Sequence, residues 1–261
     1  MEKFTIFIGC GRVEVKTNIN LFDILSVQKG YKNFFSKSTF DNLDFQINLN
    51  FRPKRLFQKE IILEVKYMKG GKVLDSYIID SFSFDKNEVR KQIERVIIKI
   101  FDYYDNSLYV HASGIVESGK GAIFAGPAES GKSTVIKYFP KAKILCEDRI
   151  LIKYDDKFKE YLIWAVPHKG AERILEYEHV VLDKIYFIVP SYSRKSNIVK
   201  LKPTVAFIQF LKNSIWYNTE IEKVNHKFLF LDKLVNAINC YKLSFSLKDV
   251  DCLNNGTNIV N

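Results

Sequence analysis

Residues 122–139 read AIFAGPAESGKSTVIKYF: an apolar run, a glycine loop, then apolar residues at helical spacing. The fold turns on this stretch. Gly126, Gly131, Lys132 and Ser133 satisfy the G-x-x-x-x-G-K-S spacing, and each position has a chemical reason. The glycines let backbone N–H groups turn inward on phosphate oxygens, Lys132 neutralises the β and γ oxygens of a nucleotide, and Ser133 offers a hydroxyl to Mg²⁺. The candidate nucleotide-binding segment is therefore Gly126, Pro127, Ala128, Glu129, Ser130, Gly131, Lys132, Ser133 and Thr134. A helix expected from about Lys132 through VIKYF to the stop at Pro140 adds its positive end. The competing reading is a plain glycine-rich turn.

Working outward, LYVHASGIV (108–116) and AIFAG flank the polar turn ESGKG. That pattern is a hairpin, so the sheet around the loop is expected to be mixed or antiparallel, unlike the parallel sheet of ordinary phosphate-loop proteins. Downstream, KILCEDRILIKY (143–154) and KEYLIWAV (159–166) read as two strands around Asp155-Asp156-Lys157, and VVLDKIYFIV (180–189) as a buried strand ended by Pro190. Ser191 to Lys200 reads as a polar loop, Pro203 to Tyr217 and Phe228 to Asn239 as helices, and YKLSFSL as a last strand.

Upstream, FTIFI, VEV, LDFQINLNF, IILEVKY and VLDSYIIDSFSF are short β-rich runs, expected to form a small antiparallel sheet with a hairpin at Gly70-Gly71. From Asp85 the period changes: Asp85 can cap, and Val89, Ile93, Val96, Ile97 and Ile100 share one helical face. The expected division is a β-rich unit closed by a helix, residues 1–105, and a nucleotide-binding domain, residues 106–261.

A phosphate loop needs an acidic partner to hold the metal or to deprotonate an acceptor, and Glu147-Asp148 supplies two carboxylates at the end of an apolar run. Neighbouring residues on a strand point to opposite faces. These two share a site only if the strand ends or bulges there, and otherwise they are a solvated acidic turn.

The runs LYVHASGIV, GAIFAGPAESGKST, ILCEDRILI and VPHKG together resemble the C-terminal domain of HPr kinase/phosphorylase and the stand-alone HPr-kinase-like serine kinases. The resemblance covers about Leu108 to Val189. It implies an α/β (α+β) fold of the HPr kinase and PEP-carboxykinase-like type, with a mixed, hairpin-rich sheet. It also implies ATP and Mg²⁺ as cofactors, transfer to a serine hydroxyl of a protein or peptide, and homo-oligomers. Carried over by position, Lys132 and Ser133 hold ATP and Mg²⁺, Glu147 stands at the catalytic base, and Asp148 is the metal-side carboxylate. His111 matches the hairpin histidine, reaching a phosphate or the base carboxylate, with a core histidine as the alternative. His168, Lys169, Glu172 and Arg173, on a polar turn, are candidates for the acceptor side. Glu147 is one methylene longer than the family's aspartate. The Gly-rich stretch that bifunctional members carry after the acidic pair has no counterpart, so neither phosphorylase activity nor HPr as substrate is implied. The alternative function is an ATP- or GTP-binding regulator or scaffold with little transfer.

Composition narrows the rest. With 261 residues, 47% of them hydrophobic, the chain can bury a substantial core, and disordered or fibrous classes are excluded. The 40 Lys+Arg against 30 Asp+Glu leave +10, which favours an anionic partner without choosing one. Nucleic acid is disfavoured for want of a recognition motif, and Trp164 and Trp216 read as core residues. Apolar runs are broken well before the ~20 residues of a spanning helix. Cys10, Cys146, Cys240 and Cys252 form no CxxC pair and the start lacks a secretory pattern, so the expectation is a cytoplasmic protein with free thiols and no His/Cys metal site.

Overall fold

The computed structural model describes residues 1–8, 11–22, 34–37, 44–53, 60–83, 85–103, 106–139, 141–166, 180–191, 195–214, 221–247 and 249. They form a mixed α/β protein with two mixed sheets and few helices. They fall into two compact units, one within Met1–Tyr103 and one within Tyr104–Val166 and Gly170–Asn261.

The first unit contains β1 (Glu2–Ile8), β2 (Gly11–Thr17), β3 (Phe35–Ser36), β4 (Phe45–Pro53), β5 (Glu60–Lys69) and β6 (Lys72–Ser83), in the spatial order β3-β1-β2-β4-β5-β6. Side chains alternate across a strand, so Ile47, Leu49 and Phe51 of β4 and Leu63, Val65 and Tyr67 of β5 are buried on one face. The expected antiparallel sheet is mixed instead: β2 and β4 run parallel. Parallel neighbours need a long crossover, and residues 18–44 supply it. Helix α1 (Lys86–Lys99) begins where expected, with Asp85 Oδ1 accepting from the N–H groups of Asn87 (2.9 Å) and Glu88 (3.0 Å). It buries Val89, Ile93, Val96 and Ile97, and Tyr67 Oη donates to the Val96 carbonyl (2.8 Å), tying the helix to β5.

The second unit contains β7 (Ser107–Glu117), β8 (Lys120–Ala125), α2 (Lys132–Val135), β9 (Lys143–Cys146), β10 (Arg149–Asp155), β11 (Glu160–Ala165), β12 (Val180–Pro190), β13 (Asn197–Lys200), α3 (Pro203–Asn213), α4 (Ile221–Ala237) and β14 (Asn239–Phe245). Its sheet order is β11-β10-β7-β8-β12-β14-β13, with β9 also on β7. β11 pairs with β12 as well, which closes β7, β8, β12, β11 and β10 into a ring. Around the glycine loop the sheet is mixed, as the hairpin requires: β8 lies antiparallel to β7 and parallel to β12. The hairpin turns at Ser118 (φ 51°) and Gly119 (φ 78°), the two left-handed positions of a tight two-residue loop.

Three further expectations change. Residues 143–154 are two strands broken at Glu147-Asp148, both antiparallel to β7. The segment 191–200 is not all loop, because Asn197–Lys200 pairs with β14. The helix after the loop is a single α turn of 4 residues followed by a 3-10 turn, Ile136–Tyr138. Its β-branched run Thr134-Val135-Ile136 is a poor helix former, and Phe139, before proline, has left the helical region at φ −102°, ψ 85°. Tertiary burial holds it: Val135 and Ile136 pack with Ile115, Phe124, Ile188, Leu243 and Phe245. Among the described residues no helix is long and apolar enough to cross a membrane.

Candidate functional site

Three pieces of the second unit meet beside the end of β8: the glycine loop, the turn between β9 and β10, and the middle of β7. In the loop, Glu129 (φ 62°) and Gly131 (φ 93°) adopt left-handed conformations, and Gly131 caps α2 without a side-chain bond. The Ser130 N–H between them donates to the Pro127 carbonyl (3.3 Å), which closes the loop into a tight turn. Gly126 is needed for space, since a Cβ there would sit 2.6 Å from Ser130 Oγ and 3.2 Å from the Ile188 carbonyl. Pro127, Ala128 and Glu129 are exposed, whereas Ser130 is buried and its Oγ has no hydrogen-bond partner among the described residues.

Lys132 is 6% exposed, and its ammonium donates to the carbonyls of Gly126 (2.9 Å) and Pro127 (2.7 Å). Burial lowers its pKa, and the Asp148 carboxylate works the other way. Ser133 and Thr134 are half-buried in the first turn of α2, and the Thr134 N–H donates to the Gly131 carbonyl (3.0 Å).

The acidic pair sits on the chain break the alternation rule demands. Cys146 organises it: the N–H groups of Asp148 (3.4 Å) and Arg149 (3.2 Å) donate to Sγ, and the thiol donates to the Arg149 carbonyl (2.8 Å). Burial pushes that thiol up to about 11, so it stays protonated and available as the donor. The turn is docked by its backbone. The Glu147 carbonyl accepts from the hydroxyls of Ser113 on β7 (2.5 Å) and Ser133 on α2 (3.3 Å), and the Asp148 carbonyl accepts from the Ala112 N–H (2.9 Å).

The two carboxylates then differ. Asp148 Oδ1 lies 2.7 Å from His111 Nε2 and Oδ2 accepts from Arg149 Nε (3.1 Å), while Arg149 also reaches the Tyr109 hydroxyl (3.4 Å). His111 and Arg149 are directly opposite on β7 and β10, which is why both reach one side chain. The Glu147 carboxylate makes no hydrogen bond among the described residues. The structure thus brings Lys132, Ser133, His111, Glu147 and Asp148 together. His168, Lys169, Glu172 and Arg173 lie outside the described residues. Sequence reasoning missed Cys146, Arg149, Tyr109 and Ser113, although the polar break C-E-D-R within an apolar run was a visible signal for the first two.

No family model and no curated protein matches the chain. The solved structures that resemble it include the HPr(Ser) kinase/phosphatase from Coxiella burnetii, at 12% identity, 49% of this chain, 92% of that one and a TM-score of 0.22. So low a score adds nothing to the chemistry, which rests on the side chains. Among the described residues no three His, Cys, Asp or Glu gather as a metal cluster. A cation here would draw on the Ser133 hydroxyl, one or both carboxylates, phosphate oxygens and water, the oxygen-rich and incomplete set that suits Mg²⁺.

Proposed function

We propose that the chain is an ATP-dependent kinase, carrying its γ-phosphate to a serine hydroxyl of a protein or peptide. The observation that supports this most is the junction at Glu147: one carbonyl bonded by hydroxyls from β7 and from the glycine loop's helix, with Lys132 buried beside the loop and two carboxylates on the same turn. The orphaned Ser130 hydroxyl and an ammonium hydrogen-bonded to loop carbonyls are polar groups that a polyphosphate would satisfy. Bound Mg²⁺ would supply charge neutralisation across the phosphates.

In this reading Lys132 leaves the Gly126 and Pro127 carbonyls for the phosphate oxygens, and the loop N–H groups hold the rest of the anion. Glu147, with its carboxylate unengaged among the described residues, accepts the hydroxyl proton. Asp148 has each oxygen already bonded by a nitrogen donor, so it is the better fixed anion; it holds the cation or its water with its remaining lone pairs. His111 and Arg149 hold Asp148 in place. The first unit is assigned to acceptor binding or assembly.

A second reading, a nucleotide-binding regulator without efficient transfer, is favoured by one observation: Lys132 already has two hydrogen bonds within its own loop. Turnover of ATP with Mg²⁺ and serine peptides, read by phosphopeptide mass spectrometry, separates the two. Glu147→Gln is expected to leave Mg²⁺-ATP binding intact and slow transfer by about 10²- to 10⁴-fold, the usual cost of losing a general base. Asp148→Asn is expected to weaken metal-dependent binding. If the two effects are exchanged the roles are exchanged, and if neither variant alters transfer the regulator reading replaces the kinase.

A further inference from the structure

The described residues of the second unit leave a cleft of about 600 Å³ between the β10–β11 hairpin, the start of β12 and the C-terminal end of α4. The sequence of α4 explains why it is open. Phe230 packs edge-on against Tyr161 of β11, ring centres 5.7 Å apart, and a helix that lay on the sheet to its end would repeat bulky apolar residues along that face. Three and seven residues beyond Phe230 stand Lys233 and Ala237, both exposed, so the space over the hairpin stays unfilled. Its volume falls in the range of small-molecule sites, roughly 300–1,000 Å³. Val181, at its edge, pairs with Lys120, and the glycine loop begins beyond Ala125 on the same strand. At about 3.3 Å per residue that is a separation of roughly 17 Å along β8, so the cleft is distinct from the loop.

Tyr154 and Tyr161, directly opposite on β10 and β11 with ring centres 5.1 Å apart, give the cleft an apolar lining together with Leu182 and Ile238. Both walls carry charge of both signs. The hairpin brings Asp156, Lys159 and Glu160, and the Asp156–Lys159 pair is loose at 3.7 Å with both side chains exposed. The helix brings Lys233 and its own carbonyl end, which no basic residue of the last turn offsets. A ligand of one sign meets repulsion on both walls, and an uncharged one strips water from these groups without replacing it. A zwitterion with an apolar body satisfies both walls at once.

We infer that this cleft binds a short zwitterionic peptide of two or three residues, a ligand of drug-like size rather than a single amino acid. Its apolar side chains lie over the tyrosines, its carboxylate meets Lys233, and its ammonium faces the α4 carbonyl end and the hairpin carboxylates. The site does not depend on the phosphate chemistry of the glycine loop and stands whether or not the chain transfers phosphate.

Methyl NMR of the full chain, titrated with the dipeptide Leu-Phe to about 10 mM, tests it, since the methyls of Leu182 and Ile238 report on the cleft directly. Saturable shifts centred on these two residues are expected, with a dissociation constant below about 1 mM. Acetylating the amino end or amidating the carboxyl end is expected to weaken binding about tenfold, the worth of one charge-assisted contact. Lys233→Met is expected to weaken Leu-Phe about tenfold and to leave the carboxyl amide unaffected, a difference that a mere change of fold would not produce. Ala237→Trp sets a ring into the cleft and is expected to abolish the shifts. Both positions are exposed, and circular dichroism melts confirm that the variants fold. No saturable shift at these methyls, capped peptides that bind as well as Leu-Phe, or equal losses for acid and amide on Lys233→Met would each overturn the inference.

Discussion

Lys99 in the first unit and Lys132 in the second are both withdrawn lysines, and their surroundings differ in kind. Lys99 Nζ lies 2.7 Å from Asp75 Oδ2 and 4.1 Å from the centre of the Tyr77 ring. Asp75 accepts a second bond from the Tyr103 hydroxyl (2.9 Å). Burial alone would raise the Asp75 pKa, but these two hydrogen bonds and the Lys99 charge hold it below the usual carboxylate range. Around Tyr67, burial and the neighbouring Tyr77 push the phenol well above its ordinary value, so the cluster is a set of neutral donors around one matched ion pair. Lys132 donates to two neutral carbonyls, and burial lowers its pKa while the Asp148 carboxylate offsets part of that. A directly bonded opposite charge holds a fold together, whereas a buried charge that donates to dipoles and is only partly offset by a neighbouring carboxylate costs stability.

Lys132→Met sharpens this contrast most. It is expected to reduce phosphotransfer by about 10²- to 10³-fold, the loss seen when one preorganised charge donor is removed, while the melting temperature stays level or rises. Full activity in steady-state assays would make Lys132 a structural lysine and dissolve the comparison. The pH dependence follows from the direction of its shift. A lysine whose folded pKa is depressed binds its proton more tightly unfolded, so the wild type gains stability as pH rises towards the ordinary lysine value. Lys132→Met lacks that gain. Denaturant titrations of both proteins across this range are expected to show their difference shrinking with pH, and a constant difference would mean the ammonium is not strained.

Lys99→Met is expected to act in the opposite sense. It leaves Asp75 with the Tyr103 hydroxyl and the Ser76 N–H but no opposite charge, a loss of about 1 kcal/mol for a partly exposed pair, read by urea unfolding. An unchanged midpoint would show that the Asp75 cluster contributes nothing. Smallest is His111→Ala, which removes one donor to Asp148 and is expected to weaken Mg²⁺-dependent nucleotide binding about tenfold, with metal-free binding unchanged. Equal loss with and without metal would place His111 at the phosphates instead.

Much of this was legible in residue order. The period switch at Asp85 foretold α1, because a capping carboxylate and a 3.6-residue apolar spacing are local properties. The hairpin before the loop followed from two apolar runs around Ser118-Gly119, and the glycine loop from Gly126, Gly131, Lys132 and Ser133. The antiparallel expectation for the first sheet failed at β2 and β4, since strand direction depends on where a long crossover returns. The expected helix over VIKYF shrank to one turn because the apolar spacing of Val135 and Ile136 served to bury them against the sheet.

The sequence by itself determined the local chemistry of this protein: the hairpin that leads into the glycine loop, where the glycines permit left-handed turns, and that two carboxylates stand side by side at 147 and 148. Only the tertiary structure decided what those carboxylates do. A thiol three residues before Arg149 bends the chain, two serines distant in sequence hold the Glu147 carbonyl, and His111 meets Asp148 because β7 and β10 pair in that register. Propensity and turn chemistry act over a few residues and are written in order along the chain. Charge matching depends on neighbours that only strand pairing brings within about 3 Å, the reach of a hydrogen bond.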